Sequence, residues 1–268
     1  MGVIEAIKKG FGIATRSMSL VLVLFLFNLI GNLVSMPFTP AAPAPGETAA
    51  IPPGMTGAAA IFSLLFILIS IFVQGGTLGL VRDSIKEGSM KLASMLQYGA
   101  KYYLRLLGTG IIIVLVLVII ALIAGLIIAV TAPLNNPVVT TIAVVVSLII
   151  VIAAALKFFI PLVLAPYAIV CEEKGVIGSI KRSLQLVSPF SRVFVLPLLT
   201  ISLVLIALAV GFIIGLVVGL VSVLMPAQAG RILMIVVSSA VNGYLGLVVT
   251  VSFMVYFLGI TKETTATV

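Results

Sequence analysis

The sequence predicts an all-α, polytopic membrane helix bundle of six spans with amphipathic interfacial helices. Three observations carry this expectation. Of 268 residues, 62% are apolar and 8% charged, against just under half and about a quarter in a soluble domain. The apolar residues form six runs of roughly 20 or more, the length that ~30 Å of hydrocarbon requires of a helix. Basic residues stand almost entirely in alternate connectors, the asymmetry of a multi-span chain. An open sheet would leave backbone groups unpaired in lipid, so the runs read as helices. The chain reads as a single integral membrane domain over 1–268, with no stretch long enough for a separate soluble domain.

The predicted spans are 18–36, 58–80, 106–130, 138–159, 193–224 and 232–258. The first follows Lys8, Lys9 and Arg16 and is longer than a signal-peptide core, so it is expected to be retained. Ala6 stands where a myristoylation signal needs Ser or Thr. The connector 37–57 holds Pro at 37, 40, 43, 45, 52 and 53, with Glu47 its only charge, and is expected to be a mobile, extended linker. The fourth run stays apolar to Val170 but is interrupted by Pro161 and Pro166. Either that helix is kinked, or it ends near Pro161 and a second piece follows at the interface.

Counting Lys and Arg orients the chain. The N-terminal segment, the second-to-third connector, the fourth-to-fifth connector and the C-terminal tail together hold thirteen; the opposite side holds Arg231 alone, and Lys157 lies within a run. This predicts both termini on the cytoplasmic side of a prokaryotic plasma membrane. The net charge of +8 belongs to these flanks, so nucleic acid is not an expected partner. With no His and one cysteine, Cys171, neither a metal cluster nor an internal disulfide is expected, and no cofactor is.

Two local matches suggest an internal repeat. Ile120-Ala121-Leu122-x-x-Gly125-x-Ile127-Ile128 recurs 86 residues later from Ile206 to Ile214, and Gly2-Val3-Ile4-x-x-Ile7-Lys8-Lys9 recurs 173 residues later from Gly175 to Arg182. A period of ~86 gives candidate parallel repeats at 1–87, 88–173 and 174–268, each a basic amphipathic segment followed by two spans. The leading segments are 2–16, 89–103 and 176–188. In the third, Ile177, Ile180, Leu184 and Val187 draw an apolar stripe, with Lys181, Arg182 and Gln185 away from it. Such helices either lie in the headgroup interface or pack beneath the bundle. Mitochondrial carriers also combine three two-span repeats with surface helices, but the odd spans here lack their Pro-x-[Asp/Glu]-x-x-[Lys/Arg] signature.

The segment Pro166-Tyr167, an apolar stretch to Cys171, the turn Glu172-Glu173-Lys174-Gly175 and then Ser179-Ile180-Lys181-Arg182-Ser183 carries a resemblance. It resembles poorly characterised six-span prokaryotic membrane proteins, and is similar to the membrane domain attached to some glycerophosphodiester phosphodiesterases. The resemblance implies architecture only, since the soluble phosphodiesterase barrel and its catalytic residues are missing from this sequence.

Polar groups inside a membrane are expensive and mark candidate sites. Asn28 and Asn32 share a face of the first span, Ser70 and Gln74 one of the second, and Ser238, Ser239 and Asn242 lie on the sixth with Tyr244 nearby. The candidate intramembrane polar site is therefore Asn28, Asn32, Gln74, Lys157 and Asn242; the alternative is interhelical hydrogen bonding. Lys157 lies fifteen residues before Glu172, ~22 Å along a continuous helix. It is mid-membrane in that case, and within snorkelling reach of headgroups if the helix breaks at Pro161. Gly211, Gly215 and Gly219, with Gly125 in an Ala121/Ala129 frame, have the small-x-x-x-small spacing of helix packing, a flexible hinge being the alternative. Lys8, Lys9, Lys91, Lys101, Lys181 and Arg182 are expected to meet lipid headgroups. Glu172 and Glu173 read as solvated turn residues, and no nucleophile–base pair or intramembrane carboxylate pair suggests catalysis.

Two readings follow. One is a non-enzymatic accessory or membrane-organising protein that binds lipid, or a membrane or cytoplasmic protein; no oligomeric state is specified. The other is a transporter or exporter subunit for an apolar or weakly polar solute. The absence of acidic groups within the spans favours the first, whereas a continuous cavity lined by Asn28, Gln74 and Asn242 would favour the second and a tightly packed interior would exclude it.

Overall fold

The computed structural model describes residues 2–38, 53–131, 133, 137–154, 162–187 and 190–266. Among these there are nine α-helices and no strand. They are α1 (Val3–Arg16), α2 (Met18–Ser35, extended by a 3-10 turn at Met36–Phe38), α3 (Pro53–Glu87), α4 (Ser94–Thr131), α5 (Pro137–Ala154), α6 (Ala165–Cys171), α7 (Val176–Val187), α8 (Phe190–Val223) and α9 (Ala227–Ala266). The all-α class holds. Five helices are long and apolar enough to cross a membrane: Met18–Phe38, Gly57–Glu87, Ser94–Thr131, Val195–Val223 and Gln228–Lys262. The fourth predicted span begins as a shorter apolar helix, Val138–Ala154. Its continuation through Lys157 to Pro161 lies outside the described residues, as does 39–52 of the Pro-rich linker with Glu47.

These helices turn aliphatic side chains outward. Leu122 on α4 is 60% exposed and Phe212 on α8 is 71% exposed, within continuous rows of similar neighbours. A water-soluble surface does not carry apolar patches of that extent, whereas hydrocarbon accepts them. This is the surface of a helical membrane bundle. The predicted spans underestimate several helices: α3 runs on past Leu80 to Glu87, α4 starts at Ser94 rather than near Leu106, and α9 continues beyond Leu258. The extra turns carry the charged residues, and backbone hydrogen bonding continues through them because no proline intervenes.

The second amphipathic segment is therefore corrected. Residues 89–103 are not a separate surface helix; from Ser94 they are the first turns of α4. Those turns stand against α3. A β-carbon at Gly76 would lie 2.6 Å from the Met95 carbonyl oxygen, and one at Gly99 3.0 Å from the Phe72 oxygen, so the two backbones nearly touch. Asp83 fastens the hairpin: the Arg82 guanidinium lies 2.9 Å from it and 5.2 Å over the Tyr98 ring, and the Tyr98 hydroxyl donates to it.

Contacts divide the chain into two compact units, residues 1–101 with 200–256, and residues 102–199 with 257–268. In the first unit, α2 and α3 are joined by an aromatic ladder in which Phe27 and Phe66 stack at 5.0 Å, Phe66 and Phe62 at 5.9 Å, and Phe62 and Phe38 at 5.8 Å. α9 crosses α2 at Gly243, where a β-carbon would lie 2.9 Å from the Phe25 nitrogen. Arg231 closes the other end of this pair by donating to the Met36 carbonyl at 3.4 Å. α1 docks on α9 through Ala6, Gly10 and Ala14, all buried, with Gly10 over Ser252 and Val248. Thr15 shares a 3.1 Å hydrogen bond with Tyr244, whose ring lies 6.2 Å from Phe11.

In the second unit α6 and α7 form a hairpin. Glu172 is part-buried rather than a solvated turn residue: the Arg182 Nε lies 3.0 Å from it and the Lys174 ammonium 3.5 Å. Arg105 donates to the Glu173 carbonyl at 3.0 Å, and Glu173 takes a left-handed conformation with φ 53°. The Ser147 hydroxyl of α5 donates to the Ala124 carbonyl of α4 at 3.3 Å.

The glycines expected to pack by their spacing have open space around them among the described residues. No described atom lies within 4 Å of a β-carbon at Gly125, Gly211, Gly215 or Gly219, and the close crossings fall at Gly10, Gly76, Gly99 and Gly243 instead. Spacing marks a narrow face on one helix but does not supply a partner for it. Gly243→Val is expected to lower the stability of the solubilised protein by about 1–3 kcal/mol, the usual cost of overpacking, read as a reduced melting temperature. Gly125→Ala and Gly219→Ala are expected to be neutral or to stabilise by up to ~1 kcal/mol through helix propensity. Destabilisation at Gly125 or Gly219 would return those residues to a packing role.

Candidate functional site

Three helices of the first unit bring part of the predicted polar set together. Asn28 on α2, Ser70, Gln74 and Thr77 on α3, and Asn242 and Thr250 on α9 line a groove of about 260 Å³, with Phe27, Val73 and Gly246 completing its walls. Asn28 is ten residues past the start of α2 at Met18 and Asn242 fifteen past the start of α9 at Ala227, ~15 Å and ~22 Å along their helices. No ionisable side chain lines the groove.

Its hydroxyls are satisfied within their own helices. Ser70 donates to the Ile67 carbonyl at 2.7 Å, Thr77 to Val73 at 2.9 Å and Thr250 to Gly246 at 2.8 Å. The Asn28 amide donates to the Leu24 carbonyl at 2.7 Å. Gln74 and Asn242 differ: neither amide has a hydrogen-bond partner among the described residues. An unpaired amide taken from water costs roughly 1–3 kcal/mol in proteins and more in hydrocarbon. Gln74 and Asn242 are both exposed along the groove, and among the described residues no buried side-chain polar atom lacks a partner.

The remaining predicted residues fall elsewhere. Asn32 does not line the groove: its amide donates to Ser239 at 2.9 Å, and Ser239, fully buried, donates to Ile235. This is an interhelical bond between α2 and α9. Ser238 donates to the same Ile235 carbonyl, at 3.1 Å. Lys157 lies outside the described residues. Lys8, Lys9, Lys91, Lys101 and Lys181 are exposed, with Lys9 holding Glu5 at 2.8 Å and drawing that carboxyl below its ordinary pKa. Arg182 is half-buried and its Nε lies 3.0 Å from Glu172, which ties α7 to the turn before it. Among the residues searched, no group of His, Cys, Asp and Glu is placed to hold a metal.

Thr77 and Thr250 were not singled out from the sequence, yet their registers are readable there. Ser70, Gln74 and Thr77 follow i, i+4, i+7, and Asn242, Gly246 and Thr250 follow i, i+4, i+8, each a single face of a helix.

Long helices with aliphatic outer faces define the class: a helical membrane protein. The chain belongs to the family described as Domain of unknown function (DUF7847), whose model matches residues 1–260. No curated protein and no solved structure matches the chain.

Asn32→Ala or Ser239→Ala is expected to lower thermal stability by about 0.6–2 kcal/mol, the range for hydrogen bonds between membrane helices. Gln74→Leu, which removes an unpaired amide, is expected to leave stability unchanged or raise it. Equal losses at Asn32 and Gln74 would make both structural.

Proposed function

We propose that the protein binds an uncharged, weakly polar solute within the membrane and serves its transport or export, without catalysing a reaction on it. The observation that carries this is the meeting of Asn28, Gln74 and Asn242 around one groove, with two of their amides unpaired. Amides both donate and accept, so they suit hydroxyl, carbonyl or amide groups. An ionised solute would meet no counter-charge in the groove and would keep most of its desolvation cost.

The proposed setting is a prokaryotic cell membrane crossed six times, with both termini cytoplasmic, as the thirteen-to-one distribution of basic residues indicates. The exposed lysines of α1, α4 and α7 suit anionic headgroups on that side. They also support a second reading, in which the protein organises lipid or a partner protein. The proposed kinship with the membrane domain of some glycerophosphodiester phosphodiesterases rests on residues 166–183 and concerns architecture alone.

A panel of uncharged diols, amides and monoacylglycerols, with charged analogues as controls, is to be tested for thermal stabilisation of the solubilised protein and for flux into proteoliposomes. At least one uncharged compound is expected to stabilise the wild type. Gln74→Leu and Asn242→Leu are each expected to weaken it about tenfold, equivalent to ~1.4 kcal/mol for one hydrogen bond. Stabilisation unaffected by both variants, or confined to charged compounds, overturns the proposal. Reporter fusions at the two ends are expected to report the cytoplasm together; opposite reports would overturn the even number of crossings.

A further inference from the structure

Beside the polar groove lies a second one of about 120 Å³, between α8 and α9. Its α8 side is Gly211, Gly215 and Val218, and its α9 side includes Met234 and Val241. Asn242 belongs to both grooves. On α9 the second groove occupies positions 234–242 and the polar groove 242–250. Together they cover seventeen residues of helix, ~24 Å from first to last.

The two differ in chemistry. Besides Asn242, the second groove has one polar side chain, Ser238, whose hydroxyl is already donated to Ile235 at 3.1 Å. Its floor is bare backbone, since no described atom comes within 4 Å of a β-carbon at Gly211 or Gly215. A slot of this volume is far too small for a partner helix, which is ~10 Å across with its side chains. It suits a single chain of methylene groups, which would recover the dispersion contacts that an empty slot forfeits.

Resting on the proposed intramembrane site, we infer that its ligand is an uncharged, single-chain amphiphile. The polar end hydrogen-bonds to Asn28, Gln74 and Asn242, and the apolar chain passes Asn242 into the Gly211–Gly215 slot. Asn242 stands at the junction, where an uncharged head meets its chain. Neither groove offers an ionisable group, so the head is a hydroxyl, ester or amide and not a phosphate or carboxylate.

The test uses the full chain in nanodiscs and a monoacylglycerol bearing a diazirine near its chain end. Cross-links competed by excess unlabelled monoacylglycerol are mapped by mass spectrometry, which needs no variant. Competed adducts are expected on 211–218 and 234–241. Gly215→Phe, with its fold checked by melting temperature, is expected to reduce competed labelling at least tenfold, and Gly211→Leu serves if that variant fails to fold. Competed labelling confined to the polar groove and unaffected by either slot variant overturns the single-chain inference while leaving the site itself standing. Slot labelling unchanged by Gln74→Leu and Asn242→Leu overturns the polar end of the proposal. Absence of competed labelling in both grooves overturns the inference entirely, and a solute from the uncharged panel still bound through Gln74 and Asn242 would then keep the broader reading separate.

Discussion

The crossing of α2 and α9 at Gly243 is the contact on which the first unit depends. Lipid tails are as apolar as the side chains they meet, so burial of apolar area gives helices little reason to associate. Close backbone packing and interhelical hydrogen bonds must do so. At Gly243 the absence of a side chain lets α9 come within 2.9 Å, measured from an ideal β-carbon, of the Phe25 nitrogen. Four residues toward one end, the same approach brings Ser239 under the Asn32 amide. Toward the other, Gly246 and Thr250 form a wall of the polar groove facing Ser70 and Gln74. Asn242, next to the crossing, is left at the groove edge with no described partner. One close contact thus accounts for a satisfied amide, an open groove and an unsatisfied amide.

The helices were legible because hydrocarbon leaves the backbone so few options. Their pairing was not, since it depends on surfaces that a single run of residues does not contain. Asn28 and Asn32 illustrate the limit. They share a face and a residue type, and sequence reasoning gave them one role. Only the position of Ser239 separates them, making Asn32 a strut and leaving Asn28 on the groove. The groove residues Asn28, Gln74 and Asn242 were found because an intramembrane amide is conspicuous. Thr77 and Thr250 were passed over because a threonine that bonds its own helix blends into an apolar run.

The glycines teach the same lesson from the opposite side. Gly211 and Gly215 have the spacing of a packing face, and α8 presents that face to a slot rather than to a helix. Gly76 lacks such neighbours in its own sequence and Gly243 has only Ser239 four residues before it, yet these two carry the closest backbone approaches. A glycine permits approach from any direction, and the partner decides which permission is used.

The short helices show how a surface helix can be misread. α1 and α7 begin 173 residues apart, at Val3 and Val176. At that same offset, buried Ala6, Gly10 and Ala14 correspond to buried Ser179, Ser183 and Val187. Ile4 and Ile177 correspond too, and they are 71% and 78% exposed. The apolar stripe begun by Ile177 is therefore turned outward at its start, while two serines are buried. In water that arrangement would waste apolar surface, but beside lipid an outward isoleucine loses nothing and a small residue admits a close neighbour. The left-handed turns at Gly88 and Glu173 extend the correspondence. Ser179, Ser183 and Val187 follow Glu173 by the same steps that separate Ser94, Tyr98 and Tyr102 from Gly88. Tyr98 and Tyr102 are too large to let a surface helix settle as α1 does. Tyr98 instead lies along Gly79 of α3 with its hydroxyl on Asp83, and the middle segment is continuous with the rest of α4.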